Sequence, residues 1–379
     1  MASVTWDGVR DLAGFRAQNG CAISLYVDLD ASVTPTAADL STRVNALIDE
    51  IERAEAARRP ELGHDQKEGL RSDVQRLRAF FEQEFDRDGM LGLAVFCGWL
   101  DNLWVPLPLS ARVPDVVKVG SSLYLAPLVS LVGRGEGALV VFVGRERGDV
   151  YRLRAGRLEE LDERHDELPG RHDQGGWSQA RYQRHIEKLA HDHFKEVAEL
   201  VDRQLRRLRN PRLVVVASEE TRAEFENALS NDARRAIIGW TSAEAHATAG
   251  DLLREVEPLL ERWRDEHEAQ AVDRWREEAG RDSRAAAGWG PTLEAASDGR
   301  VELLLFQDGV ERPAWECPAC GRVASKGGAC PLDGTQMEER SEGLDLAVQQ
   351  TLAHGGTVLA LRGRQDLEPV EGIGALLRF

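Results

Sequence analysis

The six residues 213-LVVVAS-218 constrain the fold more than any other stretch of the chain. An unbroken apolar run of this length predicts a strand covered on both faces, as in parallel or mixed sheets flanked by helices. What precedes it agrees. From Ser178 onward, Tyr182, Ile186, Leu189, Val197, Val201, Leu205 and Leu208 recur close to every 3.6 residues. That period predicts one long amphipathic helix, stopped at Asn210-Pro211. A short helix from Thr221 and a strand at Ile237-Ile238 complete an α/β layer. Upstream, ALVVFV, DVYRLR and RLEELD are three short strands with glycine-containing turns between them, a meander.

The 379 residues suffice for two or three such units. Before the meander, AISLYVDL at 22–29 alternates, with Ile23, Leu25, Val27 and Leu29 on one face of a strand. Helical stretches at about 38–57 and 66–86 follow, and then strand-like runs at 91–97, 103–109 and about 122–132. After the α/β layer, 248–279 reads as a charged helix carrying Trp263 and Trp275, expected to pack on neighbouring domains. Helix, turn and strand follow over 289–309, then a Cys-rich insertion at 315–335. A helix near 343–354, the strand TVLALRG and the tail GIGALLRF end the chain. The expected division is an α+β unit at 1–132, a central unit at 133–270 and an α/β unit at 271–379.

The formal net charge is -17, which argues against general coating of nucleic acid or of an anionic membrane. No apolar run reaches the length of a membrane span, and the N-terminal residues have no apolar signal-peptide core. Five cysteines, three of them late and clustered, do not form a secreted disulfide framework, so a cytoplasmic location is expected. Cys21 and Cys97 lie in apolar runs and read as core residues.

Charge is not uniform. Between Arg171 and Arg212 there are ten Arg or Lys against six Asp or Glu, with four His. This segment opens with RHDQGGWSQARYQR. Paired glycines before a helix suit either a backbone entry needing positive φ or a close approach of amides to phosphate or sugar. The local positive charge favours the second, an RNA contact, while a solvated helix face is the usual source of such charges.

Residues 175–184 resemble the Gly-Gly-Gln loop and following helix of the eukaryotic and archaeal class-one peptide-chain release factors and their relative Pelota. Gly175, Gly176, Ser178, Arg181, Tyr182 and Arg184 match that motif without a gap. GPTLEAASDGRVELLLF and GIGALLRF are similar to the opening and closing elements of the family's C-terminal domain. The nearest branch is the bacterial and archaeal release-factor-like group that includes Balon-type ribosome hibernation factors. The resemblance implies a three-domain α/β and α+β architecture with an RNase-H-like central domain. It further implies binding of the ribosomal A site and its rRNA, with the loop directed at the peptidyl transferase centre. A translational GTPase of the elongation-factor-Tu type is an implied delivery partner.

The departures shape the functional expectation. Trp177 replaces the family's Gln, whose role is to position water and stabilise the leaving oxygen. A donor aimed at such charge is worth about 3 kcal/mol. An indole has one donor and no acceptor, and it stacks on bases instead, for about 1–3 kcal/mol each. Trp177 therefore reads as an anchor, or as a staple packed on its own domain. Gln179 is the remaining candidate for a catalytic amide. The N-terminal unit lacks an Asn-Ile-Lys-Ser decoding motif. The expectation is a non-hydrolytic factor that occupies idle or stalled ribosomes under stress; a peptidyl-tRNA hydrolysing rescue factor and a non-ribosomal scaffold are the alternatives.

The insertion carries Cys317-x-x-Cys320 and Cys330-x-x-Asp333. Paired knuckles of this kind signal a tetrahedral zinc ribbon. With Asp333 in the fourth place, either a structural Cys-Cys-Cys-Asp zinc site or a decayed, metal-free one is possible. His185, His191 and His193 form no HExxH arrangement and are expected at the surface or between domains.

Overall fold

The computed structural model describes residues 6–58, 63–87, 90–109, 111–132, 138–154, 156–165, 177–208, 212–281 and 283–379. They form two compact units, one from 1–133 together with 268–379, the other from 134–267. The elements are mixed α/β throughout and build four sheets.

The N-terminal part of the first unit contains α1 (Trp6–Ala13), β1 (Ala22–Asp28), α2 (Ala37–Arg58), α3 (His64–Ala79), β2 (Gly92–Gly98), β3 (Leu103–Leu109), β4 (Val116–Gly120) and α4 (Ala126–Val132). A π-helical turn, Phe80–Glu84, extends α3. The sheet is antiparallel in the order β3-β2-β1-β4. Ile23, Leu25, Val27 and Leu29 do share a face, packed with Val44, Ile48 and Leu77 of the two helices. Ser24 and Tyr26 point the other way and are buried as well. That face meets the C-terminal part of the same unit.

One expectation fails here. The apolar run at 122–132 is not a strand: Leu125 to Leu131 belong to the turn and helix of α4, and the strand is Val116–Gly120. A short apolar run has no decisive period, and burial of Leu125, Leu128 and Val129 at helical spacing explains the pattern.

In the second unit, β5 (Leu139–Val143), β6 (Arg147–Arg154) and β7 (Arg157–His165) are the expected meander. Then come α5 (Trp177–Leu205), β8 (Leu213–Val216), α6 (Glu219–Ala228), α7 (Asn231–Ala236), β9 (Ile237–Thr241) and α8 (Ala249–Gly280). The strand order is β7-β6-β5-β8-β9, with β8 parallel to both β5 and β9. This is the sheet of the expected RNase-H-like central domain. Strand β8 is buried along its length, as the apolar run demands. Phe194, Val197, Val201 and Leu205 of α5 pack on one face with Phe225. Leu252, Val256 and Leu260 of α8 pack on the other. Helices α6 and α7 were only partly legible; Ser218 and Ser230 cap them by accepting the N–H of Thr221 and Ala233.

Residues of α8 from Glu268 onward belong to the first unit. Its C-terminal part continues with β10 (Ala285–Ala287), α9 (Trp289–Ser297), β11 (Val301–Gln307), β12 (Ala314–Glu316), β13 (Val323–Ala324), β14 (Glu338–Arg340), α10 (Gly343–Ala353), β15 (Thr357–Leu361) and β16 (Ile373–Leu377). The main sheet runs β10-β16-β11-β15, with β11 and β15 parallel. Trp275 of α8 is buried against Leu305 and Leu376 and donates its indole N–H to the carbonyl of Ala286 at 2.9 Å. The opposite face, through α9 and α10, shares one continuous core with Tyr26, Phe96, Leu125 and Leu128.

Candidate functional site

Two regions carry the sequence's chemical signals. The first is the entry to α5. Gly175 and Gly176 lie outside the described residues, as do the side chains of Trp177, Ser178, Gln179, Arg181, Tyr182 and Arg184. The backbone places Trp177 at the first position of the 29-residue helix α5, directly after the glycine pair. That helix is anchored further along, where Ala190 and Phe194 enter the core. Of the histidines expected at the surface or between domains, His191 is exposed and His193 is buried at 2% exposure near Gly148. The side chain of His185 is outside the described residues. Trp263 stacks on His267 with ring centroids 5.1 Å apart and carries Arg212 over its face at 4.4 Å, within the 134–267 unit.

The second region is the Cys-rich insertion. Strand β12 pairs with β13 on one side and β14 on the other, and the two knuckles hang from this small sheet. They are built alike. In the first, the Cys317 N–H donates to Arg322 O at 2.8 Å and Gly321 N–H donates to Cys317 O at 2.8 Å. In the second, Cys330 N–H donates to Thr335 O at 2.8 Å and Gly334 N–H to Cys330 O at 2.9 Å. Gly321 and Gly334 adopt φ of +78° and +75°, a turn that a side chain would strain.

This duplication brings Cys317, Cys320, Cys330 and Asp333 together, with their donor atoms all within 4.8 Å of one another. Cys320 Sγ lies 3.6 Å from Cys330 Sγ, and Cys317 Sγ lies 3.5 Å from Asp333 Oδ2. Tetrahedral zinc with ordinary Zn–S and Zn–O lengths needs donor separations of about 3.5–3.8 Å. The donor set therefore fits a four-coordinate metal ion. The Asp333 carboxyl is held down to about 2, first by the Thr335 N–H, so it presents an ionised oxygen. Burial works against ionisation of Cys317, but N–H groups of Cys320 and Ala319 outweigh it and lower its thiol. An ion held by all four donors in a tetrahedral shell would have no position left for a substrate.

Further contacts hold this ribbon and were invisible in sequence. Glu316, 4% exposed, receives Arg16 at 2.8 Å and Arg340 at 3.3 Å. Gln350 donates to Gly321 O at 2.8 Å. Nearby, a cleft of about 310 Å³ is lined by Lys118, Tyr124, Glu316, Arg340, Glu342 and Asp345. Lys118 and Glu342 form an ion pair across it. Arg16–Glu316 and Lys118–Glu342, each separated by more than two hundred residues, leave no local signature. Among the described residues, no helix is long and apolar enough to cross a membrane.

Residues 124–261 match the model of Bacterial archaeo-eukaryotic release factor family 10. The chain is 27% identical to peptide chain release factor subunit 1 of Archaeoglobus fulgidus, over 68% of this chain and 69% of that one. It is 22% identical to the protein of the same name from Pyrococcus abyssi, over 98% of this chain and 96% of that one. Among solved structures it is similar to a ribosome-bound archaeal Pelota, in an assembly with ABCE1, with 15% identity and a TM-score of 0.40, covering 73% and 72% of the two chains. The central segment thus matches a release-factor family model, and the chain is similar to archaeal peptide chain release factors.

Proposed function

We propose that this chain is a cytoplasmic translation factor that binds the ribosomal A site and occupies idle or stalled ribosomes without hydrolysing peptidyl-tRNA. The observation that carries this reading is the Gly175-Gly176-Trp177 sequence at the start of α5, within the segment matched to a release-factor family. The superfamily resemblance supplies the ribosome. Trp177 supplies the departure, because an indole offers one rigid donor and a stacking face where catalysis needs an amide. Arg181, Tyr182 and Arg184 follow on the same helix and suit contact with rRNA phosphates and bases. A hibernation role in stress, on the pattern of the Balon-type factors, follows from a factor that binds but does not release.

The wider reading keeps three domains at 1–132, 133–270 and 271–379, a structural zinc ion on Cys317, Cys320, Cys330 and Asp333, and delivery by a GTPase of the elongation-factor-Tu type. Pelleting with vacant 70S-type ribosomes tests the core of it. Wild-type protein should co-sediment, and Arg181→Glu with Arg184→Glu should reduce binding at least tenfold at moderate salt. Equal pelleting of the double variant would sink the loop contact. Gln179 is the residue that favours the hydrolytic alternative. Peptide release from ribosome-bound peptidyl-tRNA, lost in Gln179→Ala, would establish that alternative and overturn the non-hydrolytic reading.

A further inference from the structure

We infer that Cys320 and Cys330 form a reversible, peroxide-sensitive dithiol, so that the ribbon is an oxidation-responsive element as well as a metal-holding one. The four donors are not equivalent. Cys317 is fully buried and its Sγ is directed at both oxygens of Asp333, at 3.5 and 3.6 Å. Cys320 is exposed, and its Sγ faces Cys330 Sγ at 3.6 Å. The accessible sulfur thus has a resolving sulfur beside it, while the inaccessible one is engaged with a carboxylate. Exposure lets peroxide reach a sulfur, and a second sulfur beside it can convert the resulting sulfenic acid to a disulfide.

The chemistry balances with hydrogen peroxide as oxidant. The Cys320 thiolate attacks one peroxide oxygen; an S–O bond forms, the O–O bond breaks and hydroxide leaves. The Cys330 thiolate then attacks the Cys320 sulfur; the S–S bond forms, the S–O bond breaks and a second hydroxide leaves. Two thiolates have lost two electrons, and peroxide has become two hydroxides, protonated by solvent. The new bond ties the first knuckle to the second, since Cys320 and Cys330 lie on different ones. Only Cys317 and Asp333 remain as donors, too few for a tetrahedral ion. Gly321, next to Cys320, is held by Gln350 of α10, so a shift of the knuckle bears on that helix. Cys97 is buried in the core, which removes it from this reaction.

Loss of metal rests on the zinc reading of the ribbon; formation of the bond does not. The test uses the reduced full-length chain, with zinc measured per chain, treated with equimolar hydrogen peroxide. Intact mass, peptide mapping and a colorimetric zinc assay are followed together. The expected result is a chain lighter by two hydrogens, with Cys320 linked to Cys330, zinc released in proportion to the linkage, and both reversed by dithiothreitol. Cys317→Ser should still form the linkage, and Cys320→Ser should not. A Cys317–Cys320 linkage, lost in Cys317→Ser, overturns the proposal, as does irreversible oxidation of Cys320 or no reaction. A chain that carries no zinc yet links Cys320 to Cys330 overturns the metal reading and supports this one.

Discussion

Asp345 is a carboxyl group almost without water, 4% exposed, between the two halves of the first unit. It accepts the N–H groups of Leu125 at 2.6 Å and Ala126 at 3.0 Å, at the start of α4, and the amide of Gln349. Burial pushes it up from 3.8 to about 7, against the pull of those donors and with the nearby charge of Glu311 adding to the rise. Asp73 has the same character: burial raises it to about 6 while it accepts the Trp99 N–H. Both folded values lie above the unfolded ones, so the folded state holds protons that the unfolded state gives up. This contribution is complete below pH 4 and is lost as pH rises through about 6 and then 7. Each group gives a slope of at most about 1.4 kcal/mol per pH unit inside its window. Melting temperature should therefore fall from pH 5 to pH 8. Asp345→Asn keeps an acceptor and removes a titration, so it should flatten the upper part of that fall. An unchanged melting profile in Asp345→Asn would show that this carboxyl does not titrate as its burial requires. Asp345→Ala leaves two buried N–H groups unpartnered and should cost about 1–3 kcal/mol.

At the scale of elements, helix α5 and strand β6 approach unusually closely at one point. A Cβ added to Gly148 would lie 2.3 Å from Val197 Cγ2. Valine in a helix has essentially one rotamer, so the methyl has nowhere to turn. Gly148→Ala should destabilise the 134–267 unit by about 1–3 kcal/mol. Val197→Ala in the same chain should recover part of that loss, which denaturant unfolding of the four chains of a double-mutant cycle will measure. Additive losses would place the strain elsewhere. The ribbon makes its own prediction: native mass spectrometry should find one zinc per chain, lost in Cys317→Ser.

Elements with a strong period were legible in sequence. α5 was read from Val197, Val201 and Leu205, and β8 from its four consecutive buried residues, because one helix face and one doubly covered strand leave unambiguous patterns. The ribbon was legible because its ligands are local. The run at 122–132 was not, since its apolar spacing suits a strand as well as a turn followed by a short helix. Nor were Arg16–Glu316, Lys118–Glu342 or the Asp345 clamp, whose partners meet only through the tertiary fold.

Considered whole, the chain is acidic, and its arginines are widely paired with carboxylates, as in the two-pronged Arg274–Glu302 contact at 2.8 Å. Such pairs are weak at a surface, but among the described residues they offset part of the positive charge that would attract an RNA non-specifically. Binding to ribosomes should accordingly weaken with salt through a small number of phosphate contacts. Replacing Arg181 and Arg184 should lower the slope of log K against log salt by about two, if each meets one phosphate. An unchanged slope would assign the contacts to other residues.

The first unit is completed by two stretches separated by the whole of the second, and Asp345 lies 220 residues from the Leu125 amide it holds. During synthesis, the surface of Tyr26, Phe96, Leu125 and Leu128 leaves the exit tunnel long before α9 and α10 exist to cover it. The nascent chain must finish an inserted domain while an oily half-domain waits, a situation that slows folding and invites aggregation or chaperone capture.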